Sequence, residues 1–190
     1  MSNTLNIIHD SRRSEKYPLL MAELAKQNIT DFKVWQAVVL RDSVVKSINA
    51  SHKMIVRAAR DLGWSHIIIA EDDLMFTDDG AWQYYLDNMP MNFDLYLGCT
   101  YVKPFSPIKV TGFHLYTVHE KFYARFLGAP DDVHIDTYMD ELNGDYRLCY
   151  PFPALQRAGY SANNNAYADY NSQVILPEDL YKNDTIHNIP

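Results

Sequence analysis

The sequence predicts an α/β protein with a mainly parallel sheet flanked by helices. Its 190 residues suit one domain, since a domain commonly holds about 100–200 residues. Hydrophobic residues make up 47% of the chain and charged residues 22%, the balance of an ordinary globular protein. Segments with strand character alternate with segments of helical period, and this alternation favours parallel strands joined by helices.

The first predicted unit is a strand over residues 4–9 followed by a helix. Ser14 is a residue type that caps helices, and Pro18 is tolerated in the first turns. Four residues at helical spacing give the helix one apolar face: Tyr17, Leu20, Met21 and Leu24.

The second unit is a short strand over residues 32–36 and a helix that we expect to begin near Asn49 and to end at Gly63. Residues on one side of that helix recur at helical spacing: Ile48, His52, Ile55, Ala59 and Leu62. The next strand is the clearest, because Ile67-Ile68-Ile69-Ala70 is continuously apolar. Such a run predicts a central strand covered on both faces.

The later elements are shorter. We expect a helix over residues 81–89, a strand over 93–98, and one or two strands over 109–118 that are interrupted at Gly112 and include an antiparallel element near 108–118. Helices are predicted over 120–127 and 134–142, with a loop of turn residues between them. From about residue 151 the same domain, which spans 1–190, is expected to continue as an extended C-terminal region.

Composition and motifs exclude several functions. The net charge is −7 and no run of Lys or Arg offers a track for phosphates, so general nucleic-acid binding is not expected. The seven glycines stand at least fourteen positions apart, which excludes both a glycine-rich dinucleotide turn and a P-loop. The chain has no Cys-x-x-Cys, His-Glu-x-x-His or Gly-x-Ser-x-Gly motif either.

The sequence also suggests where the protein resides. No basic start precedes a long apolar stretch, and no segment approaches the ~18 apolar residues of a transmembrane helix. Cys99 and Cys149 are isolated in apolar surroundings, which suits buried thiols. We therefore expect a cytoplasmic protein without a transmembrane segment.

The acids Glu71-Asp72-Asp73 directly follow the central strand. Side chains alternate along an extended strand, so we expect Glu71 and Asp73 to converge on one side and Asp72 to point to the other. Mg²⁺ or Mn²⁺ bound with a diphosphate would relieve the repulsion between the two converging carboxylates. Ligands of open α/β sheets lie at this end of the strands, although a solvated acidic turn is the alternative.

Two further places could contact an anion. Ser51 and His52 would lie in the first turn of a helix that begins near Asn49, where free backbone amides attract anions, but His52 could equally be a hydrogen-bonded core residue. Arg12 and Arg13 follow the first strand, where they could contact a phosphate or a base, or could face solvent.

The order of these features resembles glycosyltransferase family 25, the group of lipopolysaccharide-biosynthesis enzymes and collagen galactosyltransferases. Six segments over residues 5–160 carry the resemblance: Ile7-Ile8-His9-Asp10-Ser11-Arg12-Arg13, Gln36-Ala37-Val38, Ser51-His52-Lys53, Ile69-Ala70-Glu71-Asp72-Asp73, Asp94-Leu95-Tyr96-Leu97-Gly98 and Pro153-Ala154-Leu155-Gln156.

The resemblance implies a single GT-A-like domain, the fold of nucleotide-diphospho-sugar transferases, that moves a hexose such as galactose or glucose from a UDP-sugar to a hydroxyl of a glycan or other acceptor with inversion. It implies that Glu71 and Asp73 hold Mn²⁺ or Mg²⁺ and that Asp136 is the catalytic base. It also implies a set of residues that bind the nucleotide-sugar, and Glu71 belongs to this set as well as to the metal site. The set is Asp10, Arg12, Arg13, Ser51, His52, Glu71, Asp72 and Gln156.

Two alternatives remain open at this point. The chain is short for the family, and Ser161-Ala162 departs from its usual Ser-Asp, so a non-catalytic nucleotide-sugar or carbohydrate-binding module is one alternative. Its 14 Tyr and 3 Trp could stack on sugars or could belong to the core. A metal-dependent nucleotidyltransferase or phosphohydrolase is disfavoured because no second carboxylate cluster is visible for two metals.

Overall fold

A six-stranded sheet forms the centre of the protein. The computed structural model describes residues 3–101, 111–161 and 163–171. The strands in chain order are β1 (Leu5–His9), β2 (Phe32–Gln36), β3 (His66–Glu71), β4 (Leu74–Phe76), β5 (Leu95–Leu97), β6 (Leu115–His119), β7 (Tyr146–Leu148), β8 (Ala154–Gln156), β9 (Gly159–Ser161) and β10 (Ala166–Ala168). The helices are α1 (Lys16–Lys26), α2 (Val44–Asp61), α3 (Ala81–Asp87), α4 (Tyr123–Leu127) and α5 (Ile135–Glu141), with a 3₁₀ turn at Glu120–Phe122.

The strand order in the central sheet is β2-β1-β3-β6-β5-β7. Strand β1 pairs in parallel with β2 and β3, and β5 pairs in parallel with β7. Strand β6 runs antiparallel to both of its neighbours, β3 and β5. The sheet is therefore mainly parallel with one antiparallel strand, as the sequence predicted.

Strand β3 is central because both of its faces are covered. Ile67 and Ile69 belong to one buried cluster, whereas Ile68 and Ala70 belong to the other. All four side chains are at most 2% exposed. Helices α2, α4 and α5 contribute to the first cluster, and α1 and α3 contribute to the second. This alternation confirms the prediction made from the uninterrupted apolar run.

Helix α2 begins earlier than expected. It starts at Val44, five residues before Asn49, and the side chain of Ser43 accepts a hydrogen bond from the backbone amide of Lys46 as its cap. The predicted start near Asn49 is therefore wrong, and Ser51 and His52 lie in the middle of the helix instead of in its first turn.

Two small sheets lie beside the central one. Strand β4 directly follows the acid triplet and pairs antiparallel with β8. Strands β9 and β10 form a second antiparallel pair. The region from residue 151 thus carries three short strands up to Ala168. The rest of the predicted C-terminal extension, residues 172–190, lies outside the described residues, as do residues 102–110 of the predicted antiparallel region.

Cys99 and Cys149 are free and buried, as expected from their surroundings. Within the described ranges, no helix combines the length and apolar character needed to cross a membrane.

Candidate active site

A cavity of about 970 Å³ opens at the edge where β1, β2 and β3 end. Asp10, Ala37 and Glu71, which follow or end these strands, contribute to its lining. Small-molecule sites commonly measure about 300–1,000 Å³ and lie at this edge of open α/β sheets. All ten residues that the sequence proposed for the site line this cavity.

Lys16 connects two of the three acids. Its Nζ atom donates to Asp72 Oδ1 at 3.1 Å and to Asp73 Oδ2 at 2.9 Å. Burial disfavours the charge of Lys16, but the two carboxylates outweigh that cost and raise its pKa. We expected Glu71 and Asp73 to converge on one side, away from Asp72. That prediction assumed that the chain stays extended through all three acids. The strand ends at Glu71 and the chain turns at Asp72 and Asp73, so strand alternation does not apply beyond Glu71.

Asp72 is directed toward β1. Its Oδ2 atom lies 2.8 Å from His9 Nδ1 and accepts a hydrogen bond from the Asp10 backbone amide at 3.2 Å. Asp72 therefore joins the carboxyl ends of β1 and β3, and both of its oxygens are engaged by the protein.

Glu71 belongs to a separate chain of hydrogen bonds. His52 Nδ1 lies 2.6 Å from the Tyr116 hydroxyl, and His52 Nε2 lies 3.1 Å from Glu71 Oε1. Burial raises the pKa of Tyr116. Burial also raises the pKa of Glu71, against the opposing effect of the His52 hydrogen bond.

Ser51 and His52 are buried, and their polar atoms are used within the protein. Ser51 Oγ accepts from the Val38 backbone amide at 2.8 Å and donates to the Ser47 carbonyl at 2.8 Å. Ser51 thereby holds the chain that leaves β2. An anion site at Ser51 and His52 was expected because they would lie in the first turn of a helix. They lie in the middle of α2, so that argument does not hold. They fix Glu71 and the loop after β2.

The loop after β1 contains two arginines. Arg12 pairs with Asp10, with an Nη2–Oδ2 distance of 2.6 Å, and this hydrogen bond lowers the pKa of Asp10. Arg13 Nη2 donates to the Tyr160 carbonyl at 3.0 Å. Arg12 is largely exposed, with 65% of its side-chain surface accessible.

Gln156 lies next to the acids. Its Nε2 atom donates to Asp73 Oδ2 at 3.1 Å, and its backbone amide donates to the Tyr101 hydroxyl at 3.0 Å. The Tyr101 ring also requires a glycine at position 112. Gly112 has φ +95°, and a Cβ atom there would lie 2.6 Å from that ring.

Asp136 occupies the first turn of α5. Its Oδ2 atom accepts from the Gly112 amide at 3.4 Å, and its Oδ1 atom accepts from the Thr137 amide at 2.7 Å. The loop before α5 is held by Asn49, whose amide side chain bonds the carbonyls of residues 130, 131 and 133 and the backbone amide of Ile135. Asn49 is fully buried, which makes this loop a fixed support for Asp136.

The acid cluster was tested for its fit to a divalent metal. No group of three or more His, Cys, Asp or Glu in the described part of the chain is arranged to hold a metal on its own. Asp73 Oδ1, however, is buried and has no hydrogen-bond partner among the described residues. Mg²⁺ is commonly bound through one or two carboxylates together with substrate phosphates. Glu71 and Asp73 fit that mode, in which the diphosphate completes the coordination.

Sequence reasoning missed His9, Lys16 and Tyr101. His9 ends β1 and Lys16 stands in the first turn of α1, so both follow the carboxyl edge of a predicted strand. That position was the available signal for both. Tyr101 had none, because its hydroxyl reaches Gln156 across 55 positions of sequence.

Comparisons with known proteins identify the fold. No protein-family model matches the chain, and no curated protein matches it in sequence. A glycosyltransferase involved in the glycosylation of the major capsid of PBCV-1 matches in structure, with a TM-score of 0.53, 12% identity, and coverage of 85% of this chain and 96% of that one. Together with the sheet topology, this match shows the GT-A-like glycosyltransferase fold and confirms the predicted class.

A Drosophila beta1,4-galactosyltransferase 7 mutant in complex with manganese, UDP-Gal and xylobiose has a TM-score of 0.49 and 13% identity, with coverage of 98% of this chain and 81% of that one. Nothing about this chain rests on that looser likeness. The resemblance to family 25 stays a prediction.

Proposed function

We propose that the protein is a glycosyltransferase that moves a hexose from a UDP-sugar to a hydroxyl of a glycan or other acceptor. One observation carries the proposal: the Glu71–Asp73 cluster ends the central strand inside a cavity of small-molecule size. The GT-A-like fold is consistent with this use, but a fold supports many activities, so the cavity carries the argument.

The donor's diphosphate needs positive charge. Arg12, Arg13 and Lys16 line the cavity near the acids and supply cationic groups from the protein. Glu71 and Asp73 would hold Mn²⁺ or Mg²⁺, which when bound neutralises the diphosphate and favours its departure. Asp10, Asp72 and Gln156 would complete the nucleotide-sugar site, and Ser51 and His52 would support it from α2.

Asp136 is the proposed catalytic base. Its carboxylate would take the proton from the acceptor hydroxyl while that oxygen bonds to the anomeric carbon of the donor. The bond from the anomeric carbon to the diphosphate breaks on the opposite face, and the electron pair leaves with the nucleotide. Such a displacement inverts the anomeric configuration. The Gly112 amide and the Asn49-supported loop would keep Asp136 in place.

The finer assignments rest on the resemblance to family 25. It supports galactose or glucose as the hexose and a role such as lipopolysaccharide biosynthesis. The proposed cytoplasmic location rests instead on the two isolated, buried thiols. These assignments belong to the proposal.

A donor-turnover assay tests the function. The protein is incubated with Mn²⁺ and a panel of nucleotide-sugars, and nucleotide release is measured with and without hydroxyl acceptors. We expect slow release from a UDP-hexose that requires the metal and is lost in Asp73→Asn. Asp79→Asn is the matched control, because that acid is exposed and does not line the cavity. Binding of UDP without any turnover would identify a non-catalytic module instead.

A further inference from the structure

The β9–β10 hairpin exposes two aromatic rings, one of which lines the cavity. Tyr160 and Tyr167 are direct partners in the antiparallel register, so their side chains lie on the same face of the hairpin. Tyr160 is 55% exposed and Tyr167 is 74% exposed, and Tyr160 also lines the cavity. Neither ring has a place in the hydrophobic core, so packing does not explain them.

The hairpin and the residues after it contact two other parts of the cavity lining. Arg13 donates to the Tyr160 carbonyl at 3.0 Å, and its guanidinium lies 5.8 Å from the centre of the Tyr160 ring. The rings of Tyr101 and Tyr170 lie 5.9 Å apart. These contacts connect the segment to other residues that line the cavity.

The chemistry of this segment differs from that of the loop after β1. Residues 158–168 contain no charged side chain, and they combine tyrosines with three consecutive asparagines. Asn163 and Asn164 line the cavity, and Asn164 Nδ2 donates to the Tyr170 hydroxyl at 2.5 Å. The cationic residues that line the cavity lie outside this segment: Arg12, Arg13, Lys16, Arg41 and Arg157. An uncharged surface of rings and amides suits a neutral polyhydroxylated ligand better than a diphosphate.

We infer that Tyr160 and Tyr167, with the neighbouring Asn163 and Asn164, bind a neutral saccharide that serves as the acceptor. The tyrosine rings would stack on the apolar faces of sugar rings, and the amides would exchange hydrogen bonds with hydroxyl groups. This inference rests on the proposed function, in which the donor's phosphates occupy the side of Arg12, Arg13 and Lys16.

The test measures glycan binding and nucleotide binding separately. An array of defined neutral and acidic glycans identifies a neutral glycan that the full chain binds, and titration gives its Kd without nucleotide. We expect Tyr160→Ala and Tyr167→Ala each to weaken that Kd by about tenfold, because ring stacking contributes on the order of 1 kcal/mol or more. The Kd for UDP with Mn²⁺ should stay within about twofold of that of the unmodified protein, a difference of ~0.4 kcal/mol.

Two controls accompany these variants. Tyr160→Phe keeps the ring and loses only the hydroxyl that donates to Asn165, so it should bind the glycan nearly as well as the unmodified protein. Met91→Ala removes another exposed apolar side chain, 97% accessible and outside the cavity, and should change neither affinity. Circular dichroism confirms that the variants are folded.

Each result decides the inference. Binding to no neutral glycan, or loss of UDP affinity with unchanged glycan affinity in Tyr160→Ala, overturns it. If donor turnover is absent but the tyrosines still bind the glycan, the proposed function fails and the saccharide site stands. If transfer occurs and the acceptor KM is unchanged in both alanine variants, the function stands and the inference fails.

Discussion

Replacing Lys16 with methionine removes the ammonium group that lies between Asp72 and Asp73. The methionine side chain retains most of the apolar stem, so the change mainly deletes charge. Lys16, Asp72 and Asp73 have side chains that are 15%, 9% and 13% exposed, which makes this a largely buried ion cluster. Without the Lys16 ammonium group, less positive charge offsets the repulsion between the carboxylates of Asp72 and Asp73.

The expected cost follows from that burial. Breaking a buried ion pair typically destabilises a protein by about 3–5 kcal/mol. Asp72 retains hydrogen bonds from His9 and the Asp10 amide, and Asp73 retains one from Gln156. Because these donors remain, we expect Lys16→Met to lower the free energy of unfolding by ~3 kcal/mol, the lower end of that range. For a chain of this size each kcal/mol lowers Tm by about 2–4 °C, so the variant should melt about 6–12 °C lower.

Thermal and urea unfolding of matched variants provide the measurement. Lys46→Met is the control, because Lys46 forms an exposed pair with Asp42 at 3.4 Å that should contribute ~0.5 kcal/mol or less. Manganese gives a second readout. Under the proposed function, Mn²⁺ should raise the Tm of Lys16→Met more than that of the unmodified protein, since the competing ammonium is gone. Equal stability of the Lys16 and Lys46 variants would refute the reasoning, because the carboxylates would then not depend on Lys16.

Three further predictions concern the same cavity. Asp136→Asn should lower transfer to an acceptor by about 10²-fold or more and leave donor affinity nearly constant, as kinetics and calorimetry would show; full activity would remove Asp136 as the base. Asp73→Asn should abolish Mn²⁺-dependent UDP binding in calorimetry while the protein stays folded by circular dichroism, and unchanged affinity would exclude Asp73 as a ligand. His114 is buried, and burial lowers its pKa to about 4. The unfolded chain takes up that proton near its ordinary pKa of 6.5, so stability should fall by ~3 kcal/mol as pH drops from 6.5 to 4. Urea unfolding of His114→Gln should show a smaller loss over that range, and an identical pH profile would contradict this account.

Local pattern was sufficient for the central strand and for the position of the acids, whereas the edge strand β7 was not predicted. Four consecutive apolar residues require cover on both faces of a strand, so β3 was recognisable as central without knowledge of its neighbours. The acids that follow such a strand must lie at its carboxyl end. Local pattern was not sufficient for the start of α2, because polar and half-exposed residues such as Ser43 and Ser47 form its first turns. Their role as cap and loop support depends on hydrogen bonds that periodicity does not encode.

Tertiary structure alone decided which atoms the site residues contact. The chain turns after Glu71, so the direction of Asp72 and Asp73 follows from the groups packed around them rather than from strand alternation. Lys16 reaches Asp73 across 57 positions of sequence, and Arg13 reaches Tyr160 across 147. Hydrogen-bond partners are selected by distance and angle in space, at a precision of a few tenths of an ångström. A sequence places residues on strands and at their ends, whereas these contacts exist only once the layers of the fold have assembled.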